Sequence, residues 1–322
     1  MVSSSAREQF NGLLLVLVSY ACTLSVSMYA GEWWLKNNKG AGYFEFSTVE
    51  LDASFVADLA GTVCIFIGSL SFNNSSLYDA YWSAAPIFIA CYWLGDRGFD
   101  DLANSPGFYR KCMVFMVMFV WGNRLTWNWA RSWTGFHHED WRYVEVFQKG
   151  TKNYFRYWAE SFGGIHLFPT VIVFAAMLPS YWVLHDPSRS QTSGLTWWDA
   201  CGAIVGFGGS FLQFTADNEL KAFREAGASS GARNVLDTGV WAWSRHPNYF
   251  GEIMHWASYV FFCAGAFNVQ FAAKWCGGAI AIASLFVFAS VPMMEDRMAQ
   301  RRGKAWDEYV KRTPSRLLPI PR

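Results

Sequence analysis

Apolar runs close to membrane-spanning length recur from one end of this chain to the other, and they limit its possible folds more than any other feature. They cover Leu13 to Ala30, Phe55 to Phe72, Leu77 to Leu94, Met113 to Trp133, Ile165 to Leu184, Trp197 to Phe214, Phe250 to Phe267 and Gly277 to Met294. Each approaches the ~20 residues that cross hydrocarbon. The pattern predicts an all-α, polytopic transmembrane helix bundle of seven or eight spans. The last two runs form a hairpin around Asn268, and fusing or splitting them decides between the totals. The first run follows a polar start bearing Arg7. Because further runs follow and Ser27-Met28-Tyr29-Ala30 is a poor cleavage site, it reads as a spanning helix rather than a signal peptide.

Composition agrees with lipid as the solvent. Charged residues make up only 16% of the chain, against about a quarter in soluble domains. A net charge of +1 says nothing about nucleic acid, but no basic stripe with interleaved aromatics appears, so no nucleic-acid partner is expected. Cys22, Cys64, Cys91, Cys112, Cys201, Cys263 and Cys276 sit in or beside apolar runs with no CxxC or Cys/His ligand set, so they read as small buried hydrophobes.

With eight spans both termini share a side. The loops after the fourth span (Arg131, Arg142, Lys149, Lys152, Arg156) and after the sixth (Lys221, Arg224, Arg233, Arg245) fall there with the basic tail from Arg297 to Arg322. The opposite loops hold fewer cations, namely Lys36, Lys39, Arg97, Arg110, Lys111, Arg189 and Lys274. Both termini are therefore expected in the cytosol. Residues 1–322 read as a single membrane domain without internal repeats. The Gly-rich stretch Ala226 to Ala232 is either a flexible connection over the cytosolic mouth or a plain exposed turn.

Chemistry concentrates in a few polar breaks. In Val240 to Trp256 (VWAWSRHPNYFGEIMHW), Ser244, Arg245, His246, Asn248 and Tyr249 lead into a helix opened by Pro247. Asn248, Glu252 and Trp256 then follow at intervals of four on one face. Glu252, an acid within an apolar helix, must be paired, hydrated or protonated, and is a functional candidate on that ground. In the sixth span Gln213, Asp217, Lys221 and Arg224 form a polar stripe. It is suited to ribose hydroxyls at Gln213 and Asp217 and to phosphate at Lys221 and Arg224, or it is simply the solvated end of a long helix. Arg124 and Asn128 lie deep in the fourth span and need partners, whereas Arg131 can snorkel. Asp79, beside Tyr81 at the start of the third span, is open between helix capping and a site role. His137-His138-Glu139-Asp140 lacks the spacing of a metal site, so no metal is expected. The basic stretch Arg297 to Lys304 suits either a membrane surface or phosphate. No GxGxxG follows a strand, so a nucleotide would have to bind between helices.

The stretches QFTADNELKAFR (Gln213 to Arg224), GVWAWSRHPNYFGEIMHW (Gly239 to Trp256) and the tail from Glu295 to Pro319, with Tyr309 and Leu317-Leu318-Pro319, resemble the steroid 5-alpha-reductase family, within its uncharacterised-domain branch. Tyr78 to Pro86 and Trp121 to Tyr143 are similar to the same branch. Arg-His-Pro-Asn-Tyr also resembles the isoprenylcysteine methyltransferases and the sterol C14 and C7 reductases. The resemblance implies NADPH as cofactor, reduction of a carbon-carbon double bond conjugated to a carbonyl, and the endoplasmic reticulum as location. It implies cofactor contacts at Asp217, Asn248, Glu252 and Trp256, with Arg224 and Arg245 toward phosphate. One departure stands out: Trp121 occupies the position of a tyrosine that in the animal enzymes polarises the carbonyl.

The combined expectation is a lipid-like substrate facing Asp79, Tyr81 and Arg124 in residues 1–160. The cofactor would be held in 161–322 by Gln213, Asp217, Lys221, Arg224, Arg245, His246, Asn248, Tyr249, Glu252, Trp256 and Arg297. Membrane lipids are the other expected partners, and no protein partner is predicted. Two rivals are a membrane methyltransferase using S-adenosylmethionine and a sterol- or lipid-binding protein without catalysis.

Overall fold

A computed structural model describes residues 2–38, 42–43, 47–95, 98–137, 139–149, 151, 153–186, 190–230 and 235–320. Lys39, Arg97, His138, Lys152, Arg189, Arg233 and Arg322, and part of the stretch 226–232, lie outside the described residues. Among the described residues every regular element is helical. In chain order they are α1 (Val2–Asn37), α2 (Val49–Phe72), α3 (Tyr81–Gly95), α4 (Phe99–Ala103), α5 (Phe108–Ala130), α6 (Tyr154–Glu160), α7 (Phe168–Leu184), α8 (Trp197–Ser230), α9 (Pro247–Ala266), α10 (Val269–Trp275), α11 (Gly277–Leu285), α12 (Val291–Arg302) and α13 (Lys304–Arg312). Wider π-type turns at Ser161–Leu167 and Phe286–Ser290 join α6 to α7 and α11 to α12.

Four helical stretches among the described residues, Asn11–Asn37, Val49–Phe72, Tyr154–Leu184 and Gly277–Arg302, are long and apolar enough to cross a membrane. The remaining expected runs fold as α3, α5, α8 and α9. These helices are either short, as α3 is at 15 residues, or diluted by buried polar groups such as Arg110, Gln213 and Glu252. The expected break at Asn268 is real. The Asn268 side chain accepts from Phe271 N at 2.8 Å and so caps α10 just after α9 ends.

The chain divides into two compact units, each assembled from separate stretches: Met1–Ile89 with Leu125–Phe174, and Ala90–Arg124 with Ala175–Arg322. In the first, α1 packs along α2. Thr48 opens α2 by accepting from Leu51 N at 3.2 Å, with Glu50 and Asp52 favourably placed in the first turn. Lipid offers little hydrophobic drive between helices, so side-chain hydrogen bonds hold this unit together. Thr62 meets Thr170 at 2.8 Å, the Tyr78 hydroxyl meets Thr170 at 2.8 Å, and His166 Nε2 meets Ser69 Oγ at 3.0 Å.

In the second unit α8 and α9 form the most extensive helix pairing among the described residues. They cross in backbone contact: a Cβ on Gly209 would lie 2.6 Å from the Gly251 carbonyl oxygen, and a Cβ on Gly251 2.6 Å from that of Gly209. Small residues at a crossing let membrane helices approach this closely, and the approach carries Gln213 of α8 alongside Glu252 of α9. A buried ion pair braces the same hairpin. Arg110 meets Asp199 in a fork, Nε to Oδ1 at 2.6 Å and Nη2 to Oδ2 at 2.8 Å, and two further donors go to the carbonyls of Thr192 and Gly194. A buried charge pair is tolerated when further hydrogen bonds satisfy its polar groups in this way.

Candidate functional site

The first unit encloses a cavity of about 200 Å³ between α1, α2 and α3. Its walls are mostly apolar, from Ala21, Leu24, Ala57, Ala84, Phe88 and Ile89. One hydroxyl and one carboxyl group meet there: the Tyr81 hydroxyl donates to Asp58 Oδ1 at 2.8 Å and lies 3.0 Å from the Asp58 carbonyl oxygen. Both side chains are buried. The sequence places Asp58 one turn before Gly61, where a methyl group would overlap the Tyr81 hydroxyl. The two helices can therefore bring this pair together only with glycine at that point.

In the second unit the polar centre is Glu252, only 5% exposed. Its Oε1 accepts from Trp256 Nε1 at 3.0 Å, and its Oε2 accepts from Trp121 Nε1 at 2.9 Å and from the Gln213 side-chain amide. The i, i+4 spacing read from the sequence thus joins Glu252 to Trp256, and Trp121 supplies a donor to the same carboxyl. Arg124 Nη1 pairs with Asp217 Oδ2 at 2.6 Å. His255 stacks on Trp121, with ring centroids 4.4 Å apart, and meets the Tyr259 hydroxyl through Nε2 at 3.0 Å. Three buried polar atoms of this cluster have no hydrogen-bond partner: Gln213 Oε1, His255 Nδ1 and Arg124 Nε. An acceptor, a donor and an imidazole nitrogen on three helices are thus left to meet a polar ligand.

Arg245 and His246 belong to a different arrangement. Arg245 is buried, with Nε on Glu295 at 2.7 Å and Nη1 on the carbonyls of Thr313 and Pro314, each at 2.7 Å. Ser244 Oγ reaches the carbonyls of Arg316 and Leu317, and the Tyr309 hydroxyl donates to the Trp241 carbonyl. The tail from Tyr309 to Ile320 is thus stitched onto residues 241–246, and Arg245 is engaged by protein groups instead of facing outward for phosphate. Burial pushes His246 below its ordinary value, with Arg245 and Arg316 acting the same way and Glu295 acting against them. The unfolded imidazole takes up a proton near pH ~6.5, whereas the folded one does so only at lower pH. The unfolded chain therefore binds more protons in that window, and stability falls as pH drops through it. The melting temperature followed by tryptophan fluorescence should fall between pH 7.5 and 5.5, and the fall should be smaller in His246→Gln. An equal fall in both proteins would refute this account of the tail clamp.

The other sequence candidates are placed as follows. Asp79 Oδ1 accepts from the Tyr143 hydroxyl at 2.6 Å, so the acid bonded to Tyr81 is Asp58 and not Asp79. Lys221 pairs with Glu225 one turn along α8, and Arg224 is exposed on the same helix. Asn248 Oδ1 accepts from Tyr249 N at 3.1 Å. Tyr249 stacks between His246 and Phe286, and Arg297 lies on α12. Glu139, in the His-rich loop, accepts from Ser75 N and from the Tyr157 hydroxyl. Sequence reasoning passed over Asp58 and His255. The signal for Asp58 was present, since a carboxylate inside an apolar run is the same argument that singled out Glu252.

Residues 65–313 match the family described as Protein of unknown function (DUF1295). The chain belongs to this family. The family falls in the steroid 5-alpha-reductase-like group. The chain is 25% identical over 213 residues to Uncharacterized protein C594.04c of Schizosaccharomyces pombe, covering 60% of this chain and 58% of that one. It is 30% identical over 94 residues to Delta(14)-sterol reductase TM7SF2 of Mus musculus, covering 27% of this chain and 19% of that one. The matched regions thus span less than two thirds of each relative's length. No solved structure matches the chain.

Proposed function

We propose that this protein is a membrane-embedded, NADPH-dependent reductase of a carbon-carbon double bond conjugated to a carbonyl in a lipid-like substrate. The observation that carries the reading is the Tyr81–Asp58 pair, a hydroxyl and its carboxyl partner set in a mostly apolar cavity. Similarity to a protein named a sterol reductase supports the same class of chemistry. The reading includes seven or eight spans, cytosolic termini and residence in the endoplasmic reticulum.

The first unit handles the substrate. Tyr81 has a single proton, so when that proton goes to a substrate carbonyl the bond to Asp58 can persist only with Tyr81 as acceptor, and Asp58 in its acid form supplies the donor. Tyr81 then stabilises the negative charge that builds on the carbonyl oxygen, and the apolar walls keep water from competing. NADPH would supply the hydride that reaches the carbon beta to that carbonyl. In the second unit Gln213, His255 and Arg124 would hold the cofactor's polar groups through the atoms now lacking partners. Glu252 orients Trp121, Gln213 and Trp256 through its bonds to all three. Lys221 and Arg224, on the outer turns of α8, are the cations for phosphate in place of Arg245.

Thermal unfolding of the purified protein in the presence of each cofactor tests this. NADPH at a hundredfold excess over its Kd should stabilise the protein by ~2.7 kcal/mol, and Gln213→Leu should reduce that protection. Protection by S-adenosylmethionine alone would favour a methyltransferase. Protection by neither cofactor, with lipid affinity retained, would favour a binding protein without catalysis.

A further inference from the structure

The cavity in the first unit has one polar wall group that its surroundings leave unused. On α1, Ser19, Thr23 and Ser25 each turn their hydroxyl back onto a carbonyl one turn earlier, on Leu15, Ser19 and Ala21. That is the ordinary resting place of a hydroxyl in an apolar helix. Ser27 does not do this. It lines the cavity, and its hydroxyl makes no hydrogen bond among the described residues. The other polar wall groups are committed: Tyr20 to the Leu77 carbonyl at 2.6 Å, Thr23 to Ser19, and Tyr81 to Asp58. Ser27 Oγ and the Tyr81 hydroxyl both lie within 2.5 Å of the position an added Gly61 Cβ would take. At most about 5 Å therefore separates them, and a small acceptor on the cavity side of the pair is within hydrogen-bond reach of both.

We propose that Ser27 and Tyr81, packed side by side against Gly61, together bind the substrate's carbonyl oxygen, Ser27 being the second donor. A carbonyl oxygen has two lone pairs and accepts two such bonds. The pair therefore favours a lipid that carries an acceptor oxygen on the ring or chain end entering the cavity over the matching hydrocarbon. This assignment rests on the reading of the cavity as the substrate site.

The test uses the full-length protein in nanodiscs with two probes, cholest-4-en-3-one labelled with carbon-13 at the carbonyl, and cholest-4-ene. Affinity and the infrared carbonyl stretch of the bound ketone are measured for the natural protein, Ser27→Ala, Tyr81→Phe and Gly61→Ala. Ser27→Ala should weaken ketone binding about tenfold, leave cholest-4-ene unaffected and raise the carbonyl frequency. Gly61→Ala should weaken the ketone at least as much, because the added methyl displaces both oxygens. An unchanged affinity and frequency in Ser27→Ala, with both altered in Tyr81→Phe, would overturn the role of Ser27 and leave the cavity reading standing. No ketone bound by the natural protein would overturn the cavity reading itself.

Discussion

Tyr81→Phe should lower the rate of enone reduction by roughly 10²- to 10³-fold, because removal of one well-placed oxyanion donor costs that much in a dry site. The substitution keeps the ring and removes only the hydroxyl that bonds Asp58. It should therefore leave the fold and cofactor affinity unchanged. Asp58 allows a finer comparison. Asp58→Asn retains a donor toward the Tyr81 oxygen and should keep more activity than Asp58→Ala, which has none. Steady-state rates with a steroidal 4-en-3-one in nanodiscs provide the measurement. Equal rates for Tyr81→Phe and the natural protein would remove Tyr81 from the chemistry.

Gly251→Val should prevent the α8–α9 hairpin from closing. Even the first carbon of the new side chain would lie 2.6 Å from the Gly209 carbonyl oxygen, a backbone atom that cannot swing away. Overpacking typically costs about 1–3 kcal/mol, and a branched side chain against backbone belongs at the upper end, ~3 kcal/mol. The separation also draws Gln213 away from Glu252, so NADPH protection should disappear with the stability. Thermal unfolding with and without cofactor reads both effects. A Gly251→Val protein that melts normally and is still protected would show that the crossing is not as tight as described.

Much of the architecture was legible in the amino-acid order because hydrophobic length is a local property. The expected runs all became helix, and Asn268 marked a break through its cap, which is also local. Partnerships were harder to read. The spacing of Glu252 and Trp256 gave their mutual bond, but the arrival of Trp121 and Gln213 on the same carboxyl depends on helix crossings set by glycines. Arg245 looked like a phosphate ligand because it is a cation in a polar loop. Its actual partners, Glu295 and two tail carbonyls, lie 50 or more residues further on. Asp79 and Asp58 illustrate the same limit. Asp79 stands beside Tyr81 in sequence, while Asp58, on the neighbouring helix, is the acid that Tyr81 bonds.

The central claim is that this chain moves a hydride from NADPH to a membrane-dissolved enone. Purified protein in nanodiscs should be given NADPH deuterated at the transferable position of the nicotinamide, together with cholest-4-en-3-one, and the lipid examined by mass spectrometry. The account predicts a saturated ketone carrying one deuterium at the carbon beta to the carbonyl, formed by the natural protein and sharply reduced in Tyr81→Phe. Recovery of the enone unlabelled and unreduced, from protein shown to bind both NADPH and the lipid, would contradict it.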